Sequence, residues 1–208
     1  MRRLAALFLL ASAAFAAAAP RLEFVKKFPN STPAWFEVWI DRTGQGEYKE
    51  DPNDEQPFAL RLDPAETETI FGLAERLGYF SKPVESGLKV AFMGEKTFRF
   101  LDGDLKRQTT FNYTILPEAQ KLLDWFERIG ETARHAINLD RTARFDRLGL
   151  DRALLELQYA YEQKRLAGAG QLLPILDRIA RNKSAFNRVR ERAAVLAEAL
   201  RTGASPAP

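Results

Sequence analysis

The chain has 208 residues, of which 46% are hydrophobic, and a formal net charge of +3. It contains no cysteine and a single histidine, His135. These counts exclude a disulfide framework, a thiol nucleophile and a lipid-modified cysteine, and one histidine without cysteine cannot build the usual zinc sites. A domain of this length must be stabilised by its hydrophobic core, and we expect neither a metal ion nor another cofactor.

The first 19 residues have the pattern of a secretory signal peptide. Two arginines directly after Met1 form a short positive start, an apolar run extends from Leu4 to Phe15, and alanines on both sides of Phe15 offer a cleavage site. The apolar stretch of residues 4–19 is shorter than the roughly 20 residues that a membrane-spanning helix needs. The sequence therefore predicts an exported protein, periplasmic or extracellular, with no membrane span in its mature chain.

Charge is distributed unevenly along the chain. Residues 20–140 carry 16 lysines and arginines against 21 acids, whereas residues 141–208 carry 13 against 7. The densest basic run, residues 178–192, is either a solvated helix surface or a docking site for an acidic protein or envelope component. Nucleic acid is not an expected partner, because the chain has no aromatic and basic recognition motif. The candidate docking residues are Arg178, Arg181, Arg188 and Arg192.

Residues 20–137 are predicted to form an α+β domain with a small, mostly antiparallel sheet. Hydrophobic residues alternate along the strand that starts at Trp35, and a glycine-containing turn at residues 41–46 returns the chain as a hairpin. Asp63 and Glu66 form a capping box at the start of a helix that should stop at Gly78. Further strands are expected at residues 58–62, 88–93, 97–100 and 108–113.

After Pro117 the hydrophobic period changes to that of a helix. We expect a long helix with a break near Asn138, an all-helical hairpin array over residues 138–201, and a disordered tail at residues 202–208. The strand at Trp35 is apolar on both faces, and such a strand is usually covered twice. We therefore expect the C-terminal helices to pack over its second face. The helices of the array should start near Asp151, Leu172 and Ser184.

One strand face offers a candidate ligand site. Trp35, Glu37 and Trp39 point to the same side of their strand, and Tyr48 follows in the returning strand of the hairpin. Aromatic rings can stack on the faces of sugars, and a carboxylate between them can accept hydrogen bonds from the sugar hydroxyl groups. The same pattern is more often that of a half-buried packing face whose acid is paired with an arginine. A third interpretation makes Glu37 one of the two carboxylates of a hydrolase.

The order of these features resembles a family of uncharacterised exported bacterial domains. The resemblance covers roughly residues 34–130 and implies an architecture only, since that family has no established activity. It rests on five features, namely the Ile40-Asp41 to Gly44 and Gly46 to Tyr48 hairpin, the Leu77 to Phe80 helix end, the Lys96-Thr97 strand, the aromatic strand ending at Tyr113 and the helix after Pro117.

The sequence thus favours an exported, non-catalytic domain that binds a protein or an envelope component. No catalytic residue is assigned, because no serine lies in a nucleophile elbow and no nucleophile lies beside His135 in the sequence. Two alternatives stay open. They are carbohydrate or small-ligand binding through the Trp35 and Trp39 face, and a carboxylate-dependent hydrolase.

Overall fold

The computed structural model describes residues 19–203. Residues 1–18 of the predicted signal peptide and residues 204–208 of the predicted tail lie outside this range. Within the range there are six strands: β1 (Arg21–Lys27), β2 (Trp35–Asp41), β3 (Gln45–Lys49), β4 (Phe58–Arg61), β5 (Glu95–Asp102) and β6 (Leu105–Phe111). The same range contains five α-helices: α1 (Pro64–Arg76), α2 (Pro117–Phe145), α3 (Leu150–Glu162), α4 (Leu173–Arg181) and α5 (Asn187–Thr202).

The six strands form one antiparallel sheet in the order β4-β3-β2-β1-β5-β6. The chain therefore belongs to the α+β class, as the sequence predicts. Strand β1 was not predicted from the sequence, although it lies inside the sheet between β2 and β5. Phe24 in β1 faces Val38 of β2 on one side and Phe98 of β5 on the other, and all three are fully buried.

Helices α1 and α2 pack on one face of the sheet and form its core. The ring of Phe126 in α2 stacks on Phe24, with 5.2 Å between the ring centroids. Gly130, one turn further along α2, lets the helix approach the sheet closely. A Cβ atom at this position would lie only 3.2 Å from the ring of Phe36 and 3.4 Å from that of Tyr48.

The predicted capping box at the start of α1 is confirmed. Glu66 donates its backbone N–H to the carboxylate of Asp63 over 2.8 Å, and Asp63 returns its own N–H to Glu66 over 3.2 Å. The Glu66 carboxylate also accepts the N–H of Gly168 at 2.8 Å. This cap therefore fastens the segment between α3 and α4 to the sheet half of the molecule.

Residues 88–93 do not form the predicted strand. Their alternating apolar side chains Leu88, Val90 and Phe92 are exposed rather than buried. Hydrogen bonds from one side chain hold this segment, instead of the main-chain hydrogen bonds of a sheet. The side chain of Asn112 accepts the N–H of Met93 at 2.7 Å and donates to the carbonyl of Ala91 at 3.0 Å. The apolar alternation is therefore that of a loop crossing the surface.

Helix α2 is continuous through Asn138, so the predicted break there is wrong, and the predicted domain boundary falls inside a helix. Its last turns carry a second core that α3, α4 and α5 surround, to which α2 contributes Ala136 and Leu139. One helix thus serves both halves of the molecule. Among the described residues, no helix combines the length and apolar character that a membrane crossing requires.

The C-terminal helices do not cover the second face of the sheet. They pack on the end of α2, and neither Trp35 nor Trp39 belongs to either hydrophobic core. Both tryptophans are half-buried on the face opposite α1 and α2. The expectation that the array would cover this face is wrong because the long α2 carries the array beyond the sheet.

Candidate functional site

A groove opens between the N-terminal ends of α3 and α5, at the end of the molecule away from the sheet. We call it the α3–α5 groove. Its volume is about 460 Å³. The residues that line it are Leu148, Asp151, Arg152, Leu155, Phe186, Arg188 and Val189.

Three of the four apolar residues that line this groove are exposed. Leu148 exposes 80% of its surface, Phe186 exposes 56% and Leu155 exposes 46%. Single exposed apolar side chains are normal, but a contiguous exposed set rimmed by polar residues marks an interaction surface. The groove is therefore the best candidate for a binding site on the described part of the chain.

Local geometry explains why Leu148 points outward. Asp146 follows the last turn of α2, and its carboxylate accepts the N–H of Gly149 at 2.9 Å. A Cβ atom at Gly149 would clash with that carboxylate, so a larger residue there would displace the Asp146 side chain that holds the turn. The turn leaves Leu148 at its tip, two residues before α3 begins.

Arginines border the groove. Asp151 accepts hydrogen bonds from both Arg188 and Arg192, the latter over 3.1 Å. Arg152 pairs with Glu156 at 2.9 Å, and Arg147 donates to the carbonyl of Ser184 rather than to a carboxylate. One carboxylate thus faces two guanidinium groups at the centre of the rim, which leaves the rim with excess positive charge.

The four arginines predicted as a basic patch do not form one unpaired run. Arg178 pairs with Asp140 of α2, and this hydrogen bond holds the pKa of that carboxyl below its usual range. Arg181 donates to the carbonyl of Asp177 at 3.0 Å. The remaining two, Arg188 and Arg192, converge on α3, and Arg188 is the one that lines the groove.

The tryptophan face is built from groups that already have partners. Trp39 donates its indole N–H to Glu47 at 2.9 Å, and the guanidinium of Arg21 lies 5.5 Å from the centre of its ring. Glu37 lies 3.4 Å from the ammonium of Lys49. The structure therefore brings Trp35, Glu37 and Trp39 together on one face, with the polar groups of Glu37 and Trp39 committed to neighbouring strands.

Tyr48 does not lie with these residues. It pairs with Val38 in the sheet, so its side chain points to the opposite, helix-covered face, where it is fully buried beside Phe36. Its hydroxyl donates to Glu50 over 2.6 Å. Burial, reinforced by the Glu50 carboxylate, raises the pKa of Tyr48. A ligand on the tryptophan face cannot reach this side chain.

Of the groove residues, only Arg188 was predicted, although α3 carries a signal for the apolar ones. The buried stripe of α3 includes Leu150, Leu154 and Leu157. Leu155 and Tyr159 are four residues apart and fall outside that stripe, so they form a second apolar edge on the exposed side. This surface could have been predicted from the apolar residues of α3 that lie outside its buried stripe.

Residues 19–203 contain no group of three or more histidine, aspartate and glutamate side chains that could hold a metal ion. In comparisons with known proteins, no family model matches the chain and no similar curated protein is found. The resemblance over residues 34–130 remains a prediction.

Proposed function

We propose that this chain is an exported, non-catalytic binding domain that docks an acidic amphipathic segment of a partner protein in the α3–α5 groove. The observation that carries the proposal is the contiguous exposed surface of Leu148, Leu155 and Phe186 within an arginine-bordered groove. An amphipathic helix binds such a groove by inserting apolar anchors that recur every three or four residues.

The charge of the helical half supports an acidic occupant. Residues 141–208 carry 13 basic against 7 acidic side chains, and the groove itself is lined by Arg152 and Arg188 against Asp151. Positive charge on a rim accelerates encounter with a negative partner and disfavours positive ones. Apolar anchors buried at the centre of an interface supply most of the affinity. The groove offers both elements side by side.

Site-specific photo-crosslinking tests the proposal. A photoreactive phenylalanine analogue replaces Phe186 in the mature protein, which is then illuminated in cell-envelope extract of its host. We expect one protein to be captured, and its crosslinked peptide to combine acidic residues with apolar residues at helical spacing. Leu148→Asp should abolish capture without lowering the Tm, because Leu148 is largely exposed.

The matched control places the same analogue at Phe92, which is equally exposed but lies on the loop beside the sheet. This position should not capture the partner. Capture of the same proteins from Phe92 and Phe186 would overturn the proposal, and so would capture of lipid instead of protein. Capture that persists in Leu148→Asp would show that the groove is not the binding surface.

The two other functions predicted from the sequence have weaker support. On the tryptophan face, one ring of the expected sugar platform, Trp39, already carries the guanidinium of Arg21. For a hydrolase, Glu37 would have to act on a substrate, but its carboxylate already lies 3.4 Å from the ammonium of Lys49. Both alternatives therefore rank below the groove.

A further inference from the structure

A second cavity, separate from the α3–α5 groove, runs along α2 where the sheet half meets the helical half. Its volume is about 510 Å³, within the range of small-molecule sites. Five of its lining residues lie on one face of α2, and the others come from the β1–β2 loop, the end of β3, α3 and the segment after α3. The α2 residues are Glu131, Arg134, His135, Asn138 and Arg141, besides Ile137 at the edge.

The inner part of this cavity is electrically balanced. Arg165 pairs with Glu131 at 2.9 Å, and Nε2 of His135 lies 3.9 Å from the same carboxylate. Glu131 and His135 are both mostly buried. Burial, followed by the charge of Arg134, lowers the pKa of His135, so the imidazole is neutral at pH 7. The inner wall therefore offers little charge of its own to a ligand.

Two arginines at the mouth are not balanced in this way. Arg134 donates to the carbonyl of Thr32 at 3.2 Å, and Arg141 donates to the side-chain oxygen of Asn138 at 3.2 Å. Within residues 19–203 neither guanidinium has a carboxylate within ion-pair distance. Each has five N–H groups, so most of its donors remain available. Their seven-residue separation along α2 corresponds to about 10 Å.

The carboxylates that share the lining are already engaged. Glu50 accepts the hydroxyl of Tyr48 at 2.6 Å, and Glu156 pairs with Arg152 at 2.9 Å. Each still has lone pairs that can accept a hydrogen bond from a ligand hydroxyl. The cavity therefore combines cationic donors that lack a carboxylate partner with carboxylates that already accept a hydrogen bond.

We propose that this cavity binds a small hydroxylated ligand through an oxyanion, carboxylate or phosphate, which Arg134 and Arg141 hold. A planar guanidinium donates two parallel hydrogen bonds to either group, and such charge-assisted bonds are about twice as strong as neutral ones. Glu50 and Glu156 accept hydrogen bonds from the hydroxyl groups of the ligand. The site is independent of the α3–α5 groove, so either proposal can fail without the other.

The single histidine makes this site directly observable. His135 lines the cavity and is the one histidine of the chain, so the Cε1–H signal of an untagged protein reports on this place alone. The probes are inorganic phosphate and glucuronate, each added to about 10 mM at constant pH, where a millimolar site is mostly occupied. Glucose is the matched uncharged probe. We expect a saturable shift of the signal with at least one anion and none with glucose.

Variants separate binding from a general salt effect. Arg134→Gln and Arg141→Gln should each lower the affinity for the anion by about tenfold. Arg76→Gln, which removes an exposed arginine of α1 outside both the cavity and the α3–α5 groove, should leave the affinity unchanged. If only one of the two anions produces the shift, that anion is the preferred oxyanion. No saturable shift with either anion, an equal shift with glucose, or unchanged binding in both cavity variants would overturn the proposal.

Discussion

The buried ammonium of Lys96 donates a hydrogen bond to the main-chain oxygen of Asn112 across 2.8 Å. The same ammonium donates to the carbonyls of Met93 at 2.9 Å and Gly94 at 3.1 Å. Burial is the main cause that lowers the pKa of Lys96, and the nearby charge of Lys26 adds to it. One lysine thus fastens the loop before β5 to the residue after β6.

Lys96→Met should loosen this loop. The substitution keeps an unbranched apolar stem but leaves three carbonyl oxygens without their donor, so we expect the free energy of unfolding to fall by about 1–3 kcal/mol. Urea denaturation measures the loss, and amide hydrogen exchange at Met93 should accelerate. Lys106→Met, at an exposed position of β6, is the control and should change neither quantity. An unchanged exchange rate in Lys96→Met would contradict the role of the lysine.

Elements with local signals were predictable from the sequence. The β2–β3 hairpin has an alternating pattern and a turn, and the α1 cap is complete within the four residues from Asp63 to Glu66. β1 and residues 88–93 were not predicted correctly, because what decides them is distant in sequence. β1 depends on its pairing with β5, and residues 88–93 depend on Asn112.

The candidate sites were harder to predict than the fold. Periodicity identifies residues that are buried, whereas Leu148 and Phe186 matter because they are not. The basic residues were recognised, but their partners were not, since Arg188 and Asp151 are 37 residues apart. The polar cavity likewise needs α2 and the loop at Thr32 to meet, which no local pattern indicates.

Gly130 tests how closely α2 must approach the sheet. Gly130→Val places its side chain against the rings of Phe36 and Tyr48, so we expect it to lower the free energy of unfolding by about 1–3 kcal/mol. The control is Gly72→Ala in α1, where the nearest atom to the new Cβ is the end of Arg76 at 3.6 Å. That helical substitution should stabilise the protein by roughly 0.5–1 kcal/mol. Urea denaturation compares the two variants through their midpoints, provided that the free energy of unfolding falls with urea at the same slope in both. A Gly130→Val variant as stable as the parent chain would contradict the close packing.

His135 should make stability depend on pH on the acidic side of neutrality. Its folded pKa is lowered by burial first and by Arg134 next, while Glu156 opposes and Arg165 reinforces the shift. As pH falls below about 6.5, the unfolded chain takes up a proton that the folded chain does not. Stability from this residue is therefore lost as pH falls, by at most about 1.4 kcal/mol per pH unit.

His135→Gln removes this contribution. Urea denaturation at several pH values between about 7.5 and 5 should show a shallower decline for the variant than for the parent chain. The Glu131 carboxylate, which lies beside the imidazole and pairs with Arg165, is retained in both proteins and so cancels in the comparison. Parallel stability curves would contradict a buried neutral histidine.

The groove residues should contribute little to folding. Leu148→Ser removes an apolar side chain that is 80% exposed, so the free energy of unfolding should change by less than about 0.5 kcal/mol. Leu154→Ala, at a fully buried position of α3, should cost about 2–5 kcal/mol. The comparison uses two leucines six residues apart in the same region, with thermal and urea unfolding as readouts. A large loss in Leu148→Ser would mean that the groove belongs to the core, and the binding surface proposed for it would have to be abandoned.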